Sequence, residues 1–265
     1  YNKVKNDPDA QTYDYLDFLN GTVVVKDKAV NTFYSYKFIG LSPLSGGPVF
    51  DDYEERQHEL DGLSKYETFK KVLTASGRRE PYMSGNLTTN LSYKNIRLSG
   101  TFAYSLGAKV RLFQMYRSEL IAPESNLRRE LLDRWQNPGD EKHTNIPAVI
   151  GRYEPYYFTY NEHWSQTSYY NVQPFASSLW NMYDYSDLRV VSGNYLKCNN
   201  LMVTYEFGER ILSQLRMTRL ALSLSGTNLF TISSKKLKGQ TPTQGFTEVS
   251  LSDRPTYSFS LSVSF

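Results

Sequence analysis

The sequence predicts an all-β protein of antiparallel strands, on three observations. The chain ends in "TYSFSLSVSF", where apolar residues alternate strictly with small polar ones and the apolar positions are Tyr257, Phe259, Leu261, Val263 and Phe265. The same period of two recurs in earlier segments such as "NIRLSGTFAYSL", and it places side chains alternately on the two faces of a strand. Aromatic residues make up 15% of the chain, with 22 Tyr and 14 Phe. No stretch approaches the roughly 20 apolar residues that a membrane-spanning helix needs.

The first two strands are expected near the start of the chain. A strand-like run at Val23 and Val25 turns at residues 26–29 into a second run over 34–38, in which tyrosine and phenylalanine alternate with polar residues. A turn of this length between two alternating runs is typical of a β-hairpin.

Four further strands follow, and with the final one they bring the expected total to about seven. Segments 87–93 and 96–106 are separated only by Lys94-Asn95, which is short enough for a tight hairpin turn. Segments 201–207 and 220–224 alternate in the same way and should also be neighbours.

The connections between these strands fall into two classes that alternate along the chain. Short ones lie at about 26–30, 94–95 and 208–217, and long ones at about 41–83, 114–190 and 231–255. This order is typical of an up-and-down transmembrane β-barrel with tight turns on one side and long extracellular loops on the other. A compact soluble domain rarely needs several loops of more than about 15 residues.

The long connections carry some local patterns of their own. "SNLRRELLDRWQNPGD" predicts a short helix with Ser125 as cap and with Leu127, Leu131 and Trp135 spaced by four. The aromatic segments 153–164 and 166–175 are expected to form loop core or interface, with stacking on sugars or peptides as the alternative.

Composition excludes several classes of function. The net charge of +3 is too small and too scattered for a nucleic-acid partner. The single cysteine, Cys198, is expected to be a buried or lipid-facing small residue and not a nucleophile. The opening "YNKVKNDPDA" has no apolar core of a signal peptide, so the chain is either cytosolic or a piece of a longer protein.

No catalytic, cofactor or metal site is predicted. The dense acidic segment at residues 51–59 lacks the glycine-containing spacing of a calcium loop, so a solvated acidic loop is favoured and calcium binding stays open. His58, His143 and His163 lie far apart without metal-ligand spacing. The chain is therefore expected not to be an enzyme, and the residues that contact a substrate stay unknown.

Five segments, in this order, resemble the C-terminal part of SusC-like TonB-dependent transporters of the Bacteroidetes outer membrane. They are "NTFYSYKFIGLSPLSGGPVF", "LDRWQNPGDEKHTNIP", "YDYSDLRVVSGNYLKCNNLMVTYEF", "LALSLSGTNLFTIS" and "YSFSLSVSF". The resemblance implies that residues 1–265 form the C-terminal segment of a 22-stranded transmembrane β-barrel, with the N-terminal strands and the plug absent from this chain.

The same resemblance implies nutrient import and a set of partners. The whole protein would import an oligosaccharide or peptide beneath a SusD-like surface lipoprotein, with energy from TonB acting through the missing plug region, and it would contact outer-membrane lipid. If the short turns are periplasmic, the order of crossings places the C-terminus in the periplasm. The residues alone leave two other classes of protein open: a soluble β-sandwich that binds glycans, and a secreted glycan-cleaving enzyme, for which the sequence offers no carboxylate pair better than the acidic segment 51–59. The sandwich would cover the face that carries Leu98, Phe102 and Leu224, whereas the barrel would expose it to lipid.

Overall fold

The computed structural model describes residues 3–6, 13–51, 53–116, 127–149, 179–244 and 254–265, and β-strands dominate them. The chain forms two compact units. The loop unit comprises Tyr1–Glu80, Lys109–Val191 and Gln244–Val249, and the sheet unit comprises Pro81–Ala108, Ser192–Thr243 and Ser250–Phe265. The predicted all-β class agrees with this content, although short helices occur in both units.

The described residues contain eleven strands: β1 Thr32–Ser35, β2 Phe38–Leu41, β3 Pro48–Phe50, β4 Thr74–Arg78, β5 Met83–Tyr93, β6 Ile96–Leu106, β7 Lys109–Arg111, β8 Val190–Ser192, β9 Tyr195–Glu206, β10 Arg219–Ser233 and β11 Thr256–Ser264. The α-helices are Tyr15–Asn20, Lys65–Val72, Leu179–Asp184 and Glu209–Leu215. The 3-10 helices are Glu54–Leu60, Arg129–Asp133, Asp140–Lys142, Asp187–Arg189 and Lys235–Leu237.

The sheet unit is built on one antiparallel sheet in the order β11-β10-β9-β6-β5. Strands β5 and β6 pair along their whole length, from Met83 opposite Leu106 to Tyr93 opposite Ile96, which confirms the hairpin predicted at Lys94-Asn95. Lys94 adopts the left-handed backbone region, with φ of 51°, as a two-residue hairpin turn requires.

The connections of this sheet alternate as the sequence predicts. Strand β6 follows β5 after two residues, and residues 207–218 join β9 to β10 at the same end of the sheet. Residues 107–194 and 234–255 leave from the opposite end. The short joint is not a plain turn, because it contains the helix Glu209–Leu215, closed by Arg216 in the left-handed region.

The loop unit is held by an aromatic core and short capped helices. Phe18 is fully buried and packs edge-on against Tyr34, with ring centroids 5.2 Å apart. The helix Tyr15–Asn20 begins at Asp14, which forms a reciprocal capping box with Asp17, and ends at Gly21 in the left-handed region. Such caps satisfy backbone groups that a six-residue helix leaves unpaired.

The expected first hairpin is wrong. Val23 and Val25 are buried but lie outside any strand, and β1 pairs with β4. The amides of Thr22 and Val23 both donate to the Asp17 carbonyl. This segment therefore closes the preceding helix and cannot begin a hairpin ladder, so five of the expected seven strands form the sheet.

The helix expected between residues 125 and 140 is much shorter than predicted. A 3-10 helix covers Arg129–Asp133, and the chain returns to extended geometry at Arg134. The amide of Trp135 then donates to the carbonyl of Ile146 at 2.9 Å, which draws the chain out of the helical path. Leu131 and Trp135 are buried, Leu127 is exposed, and Ser125 lies outside the described residues.

Candidate functional site

The five-stranded sheet has two chemically different faces. Directly opposed residues in neighbouring strands project to the same face. One such row runs across all five strands and is entirely apolar: Leu91, Leu98, Val203, Leu224 and Phe259. The neighbouring row towards the short turns contains Tyr93, Ile96, Tyr205, Leu222 and Leu261. We call this side of the sheet the apolar face.

The apolar face is exposed. Leu91, Leu224 and Phe259 are 61%, 57% and 69% exposed. Among the described residues, no second sheet covers these side chains. A soluble protein rarely leaves a continuous apolar surface of this kind open to water, and the described residues contain no second sheet packed on it as a sandwich would have.

The opposite face, called here the polar face, carries hydroxyl and amide groups. Its rows include Asn90, Ser99, Met202, Ser225 and Ser258, and next to them Ser92, Arg97, Thr204, Ser223 and Ser260. The hydroxyls of Thr204 and Ser223 lie 2.9 Å apart and share a hydrogen bond. Such a surface is suited to contact with water or a polar solute.

Aromatic side chains gather at the short-turn end of the apolar face. Tyr205 and Phe207 meet edge-on with centroids 5.0 Å apart. Tyr93 belongs to the same row as Tyr205, and the Lys94 ammonium lies 5.4 Å from the Tyr93 ring centroid. Amphipathic rings and lysines in this arrangement are typical of a boundary between an apolar medium and water.

Cys198 is fully buried and lies on the apolar face, opposite Phe102 and Phe230. A β-bulge makes this possible: Thr101 pairs with Asn200 but Phe102 pairs with Cys198, so Asn199 is the extra residue. Because of this extra residue, odd-numbered residues of β9 lie on the apolar face after the bulge and even-numbered residues lie on it before the bulge. The prediction of a buried or lipid-facing cysteine agrees with this position.

Two arginines are buried in the loop unit. The Arg111 guanidinium donates from Nη2 to the carbonyl oxygens of Leu19 and Tyr34, at 3.1 and 2.9 Å, and to the Ser35 hydroxyl. Burial lowers the pKa of Arg111 to about 10, so it stays charged at neutral pH. Arg111 therefore connects its own strand to two segments that lie more than 70 positions earlier in the sequence.

The second buried arginine, Arg189, belongs to an ionic cluster. Its Nη1 lies 3.0 Å from Oε2 of Glu130, whose other oxygen meets Arg128 at 3.0 Å. Nearby, Asp184 accepts the amides of Met115 and Tyr116 at 2.8 and 3.0 Å. Burial raises the pKa of Asp184 to about 6, against the opposing effects of Arg189 and the two amides.

The acidic segment at residues 51–59 is neutralised in part by neighbouring cations. Asp51 forms an ion pair with Arg56, and Glu59 pairs with Lys71 at 3.0 Å. Among the described residues, no cluster of three or more histidine, cysteine or acidic side chains could hold a metal ion. Asp52, His163 and the aromatic segments 153–164 and 166–175 lie outside the described residues.

Sequence reasoning did not identify Arg111, Arg189, Asp184 or the helix at Glu209–Leu215. The one available signal is an arginine inside an alternating run, as in "KVRLF" and "DLRVV". None of the helices in the described ranges has the length and apolar character needed to cross a membrane.

Comparison with known proteins identifies the fold. No family model matches the chain, and no curated protein matches it. A solved structure of the RagAB peptide importer in the "open-open" state matches over 91% of this chain with a TM-score of 0.57 and 16% identity, and the match covers 23% of that chain.

Two further structures match in the same way. A structure of the RagAB peptide transporter and one of the RagAB importer in the "closed-closed" state both have TM-scores of 0.56 over 91% of this chain, at 15% and 16% identity. The chain therefore spans about a quarter of the length of these solved chains, 24% in both cases. At this identity the likeness establishes a shared fold.

Proposed function

We propose that residues 1–265 form the C-terminal segment of an outer-membrane importer of the SusC-like class, with β5, β6, β9, β10 and β11 crossing the membrane. The observation that carries this proposal is the exposed apolar face, formed by side chains of all five strands. In the barrel this face contacts lipid, and the polar face lines the interior.

The strand lengths fit this proposal. Strands β5 and β6 have 11 residues each, which corresponds to about 37 Å at roughly 3.4 Å per residue. Tilted by about 45°, such a strand spans about 26 Å, close to the apolar band of about 25 Å in outer-membrane barrels.

The sheet edges support a larger barrel. Within the described residues, β5 pairs only with β6 and β11 only with β10. Open edges of nine and eleven residues invite aggregation, and a membrane requires them to be paired. In the proposed 22-stranded barrel, strands of the N-terminal part pair with both edges, and a plug from the same part fills the interior.

The proposed cargo is a peptide or an oligosaccharide. The solved chains of similar fold belong to structures named as peptide importers, which favours a peptide. By the SusC-like resemblance, a SusD-like lipoprotein covers the long extracellular loops, and TonB drives transport through the plug. We assign the chain no catalytic role.

The membrane-facing assignment is tested with a matched pair of arginine substitutions. Leu224 lies on the apolar face, and Ser225 lies beside it on the polar face. Leu224→Arg should destabilise the assembled barrel by about 1–2 kcal/mol because it places a cation in lipid one row inside the aromatic boundary, whereas Ser225→Arg should cost little. Leu222 shares its row with Tyr93 and Tyr205 near the boundary, so Leu222→Arg should cost less than Leu224→Arg.

The measurement is the amount and the heat stability of folded protein in isolated outer membranes. Equal losses for Leu224→Arg and Ser225→Arg would contradict the barrel.

Import itself is tested in cells that lack the protein. Defined peptides should no longer support growth of these cells, whereas free amino acids should still support it. Unchanged growth on peptides and on oligosaccharides would rule out the importer.

A further inference from the structure

The helix Glu209–Leu215, between β9 and β10, exposes its apolar side chains. Ile211 and Leu215 are 39% and 49% exposed, and Leu212 is half-buried. At about 100° per residue these three side chains fall within an arc of about 100°. Ser213 and Gln214 occupy the other side of the helix and are also exposed. The helix is therefore amphipathic, with an apolar side that the sheet unit does not bury.

Basic residues flank this apolar side, and Glu209, the first residue, is the one acidic side chain of the helix. Arg210 and Arg216 flank the helix and are exposed, and Lys94 lies exposed in the neighbouring hairpin turn at the same end of the sheet. Arg219 follows in β10, where its guanidinium lies 3.4 Å from Glu206. Lysine and arginine side chains in such positions lay their apolar stems along an interface and keep the charged group at its polar side.

The helix also follows the apolar face directly in the chain. It begins two residues after Phe207, which pairs edge-on with Tyr205 at the boundary row. An apolar arc with basic flanks next to an aromatic boundary is typical of a segment that lies in the surface of a phospholipid membrane.

We propose that this helix lies in the periplasmic surface of the outer membrane. Ile211, Leu212 and Leu215 insert at the boundary between headgroups and acyl chains, and Arg210 and Arg216 bind lipid phosphates. This inference rests on the proposed function, because it needs the sheet to span the membrane. The occupant is phospholipid: a stable protein interface buries roughly 800 Å² on each partner, far more than three side chains of a seven-residue helix offer.

The test uses nitroxide labels on the whole transporter, reconstituted in vesicles of phosphatidylethanolamine and phosphatidylglycerol. Single cysteines are introduced as Ile211→Cys, Leu215→Cys, Ser213→Cys and Phe259→Cys in a Cys198→Ala background. Collision with oxygen, which concentrates in lipid, is compared with collision with a water-soluble nickel chelate. The ratio of oxygen to nickel collision should be several-fold higher at positions 211 and 215 than at 213.

The outcomes separate this inference from the proposed function. Nickel access at 211 and 215 equal to that at 213 would overturn the inference, and so would protection from both reagents, which indicates burial against protein. The Phe259→Cys label reports on the sheet alone: high oxygen access there with low access at 211 and 215 leaves the proposed function standing. Nickel access at 259 would overturn both.

The role of the arginines has its own measurement. With Arg210→Gln and Arg216→Gln combined, the label at position 211 should become shallower in vesicles that contain phosphatidylglycerol. In vesicles of phosphatidylcholine alone, the same double substitution should change its depth less. An unchanged depth in both vesicle types would show that lipid phosphates do not hold the helix.

Discussion

Asp184 is a carboxylate enclosed in the loop unit, and its ionisation is linked to stability. Its two oxygens accept the amides of Met115 and Tyr116, while Arg189 and Glu130 lie in its electrostatic surroundings. Burial raises its pKa from 3.8 to about 6. A raised pKa means that the folded unit binds the proton more tightly than the unfolded chain does, so this contribution is fully present below pH 3.8 and is lost as the pH rises through 6.

We therefore expect the loop unit to become easier to open between pH 5 and pH 7. The free energy of local opening at Met115 and Tyr116 should fall by about 1 kcal/mol over this range, and Asp184→Asn should abolish the dependence. Amide hydrogen exchange of the whole protein, corrected for intrinsic rates, measures it.

Asp140 provides the control for this prediction. It is a half-buried carboxylate whose pKa is lowered by the amides of Asn137 and Gln136. Its stabilising effect is lost only in stronger acid, so Asp140→Asn should leave the slope between pH 5 and pH 7 as in the wild type. A flat profile in the wild type would refute the assignment to Asp184.

At single residues, the sequence predicted what depends on alternation and missed what depends on distant contacts. In β5, β6 and β11, the alternation of apolar and polar residues is enough to tell which side chains lie on each face of the sheet. Asn199 breaks this alternation in β9, and nothing local distinguishes it from Asn200. The burial of Arg111 depends on carbonyls of Leu19 and Tyr34, 92 and 77 positions away, and no local pattern can encode such a contact.

At the scale of elements, the hairpin of β2 and β3 depends on a glycine beneath an indole ring. Gly46 has a φ of 67°, and a Cβ at this position would clash with the ring of Trp135. Its carbonyl accepts the amide of Ala148 at 2.9 Å. The hairpin and the segment that follows Trp135 are thus held together at this point.

Gly46→Ala should loosen this contact, and Gly62→Ala is its matched control. Gly62 has a similar φ of 73° but open space around it, so both variants carry the backbone strain and only Gly46→Ala carries the clash. We expect Gly46→Ala to cost about 1–3 kcal/mol more. Hydrogen exchange of the amides at Trp135 and Ala148 should rise in Gly46→Ala alone. Similar exchange in both variants would mean that the indole moves aside freely.

The elements themselves were predictable where strands pair with their neighbours in sequence. The hairpin of β5 and β6 and the pair of β9 and β10 need only a local turn and matching parity. Strand β1 instead pairs with β4, and the segment at Val23 is drawn to the helix before it by the Asp17 carbonyl. Three consecutive β-branched valines, at positions 23–25, suit a strand and a buried loop equally well, so the sequence could not distinguish the two.

At the scale of the whole molecule, the two classes of connection leave opposite ends of the sheet, and this arrangement sets the topology of the proposed barrel. Strand β10 runs from Arg219 at the short-turn end to Ser233 at the other, where the 3-10 helix Lys235–Leu237 begins the next long connection. If the sheet spans the outer membrane with its long connections outside, Lys236 and Glu209 lie on opposite sides. The polar face then forms a continuous wall between these two sides, as an importer requires.

Epitope tags at Lys236 and at Glu209 test this topology directly. Both residues are exposed, so each tag should be tolerated by the fold. Antibody added to intact cells should label the tag at Lys236, and the tag at Glu209 should be labelled only after the outer membrane is permeabilised.

A third tag in the hairpin turn at Lys94 should behave like the one at Glu209, because both connections leave the same end of the sheet. The proposed SusD-like lid would shield Lys236, so the labelling is repeated in cells that lack such a lipoprotein. Labelling of Glu209 or Lys94 on intact cells would invert the proposed topology, and with it the placement of the C-terminal strand's end in the periplasm.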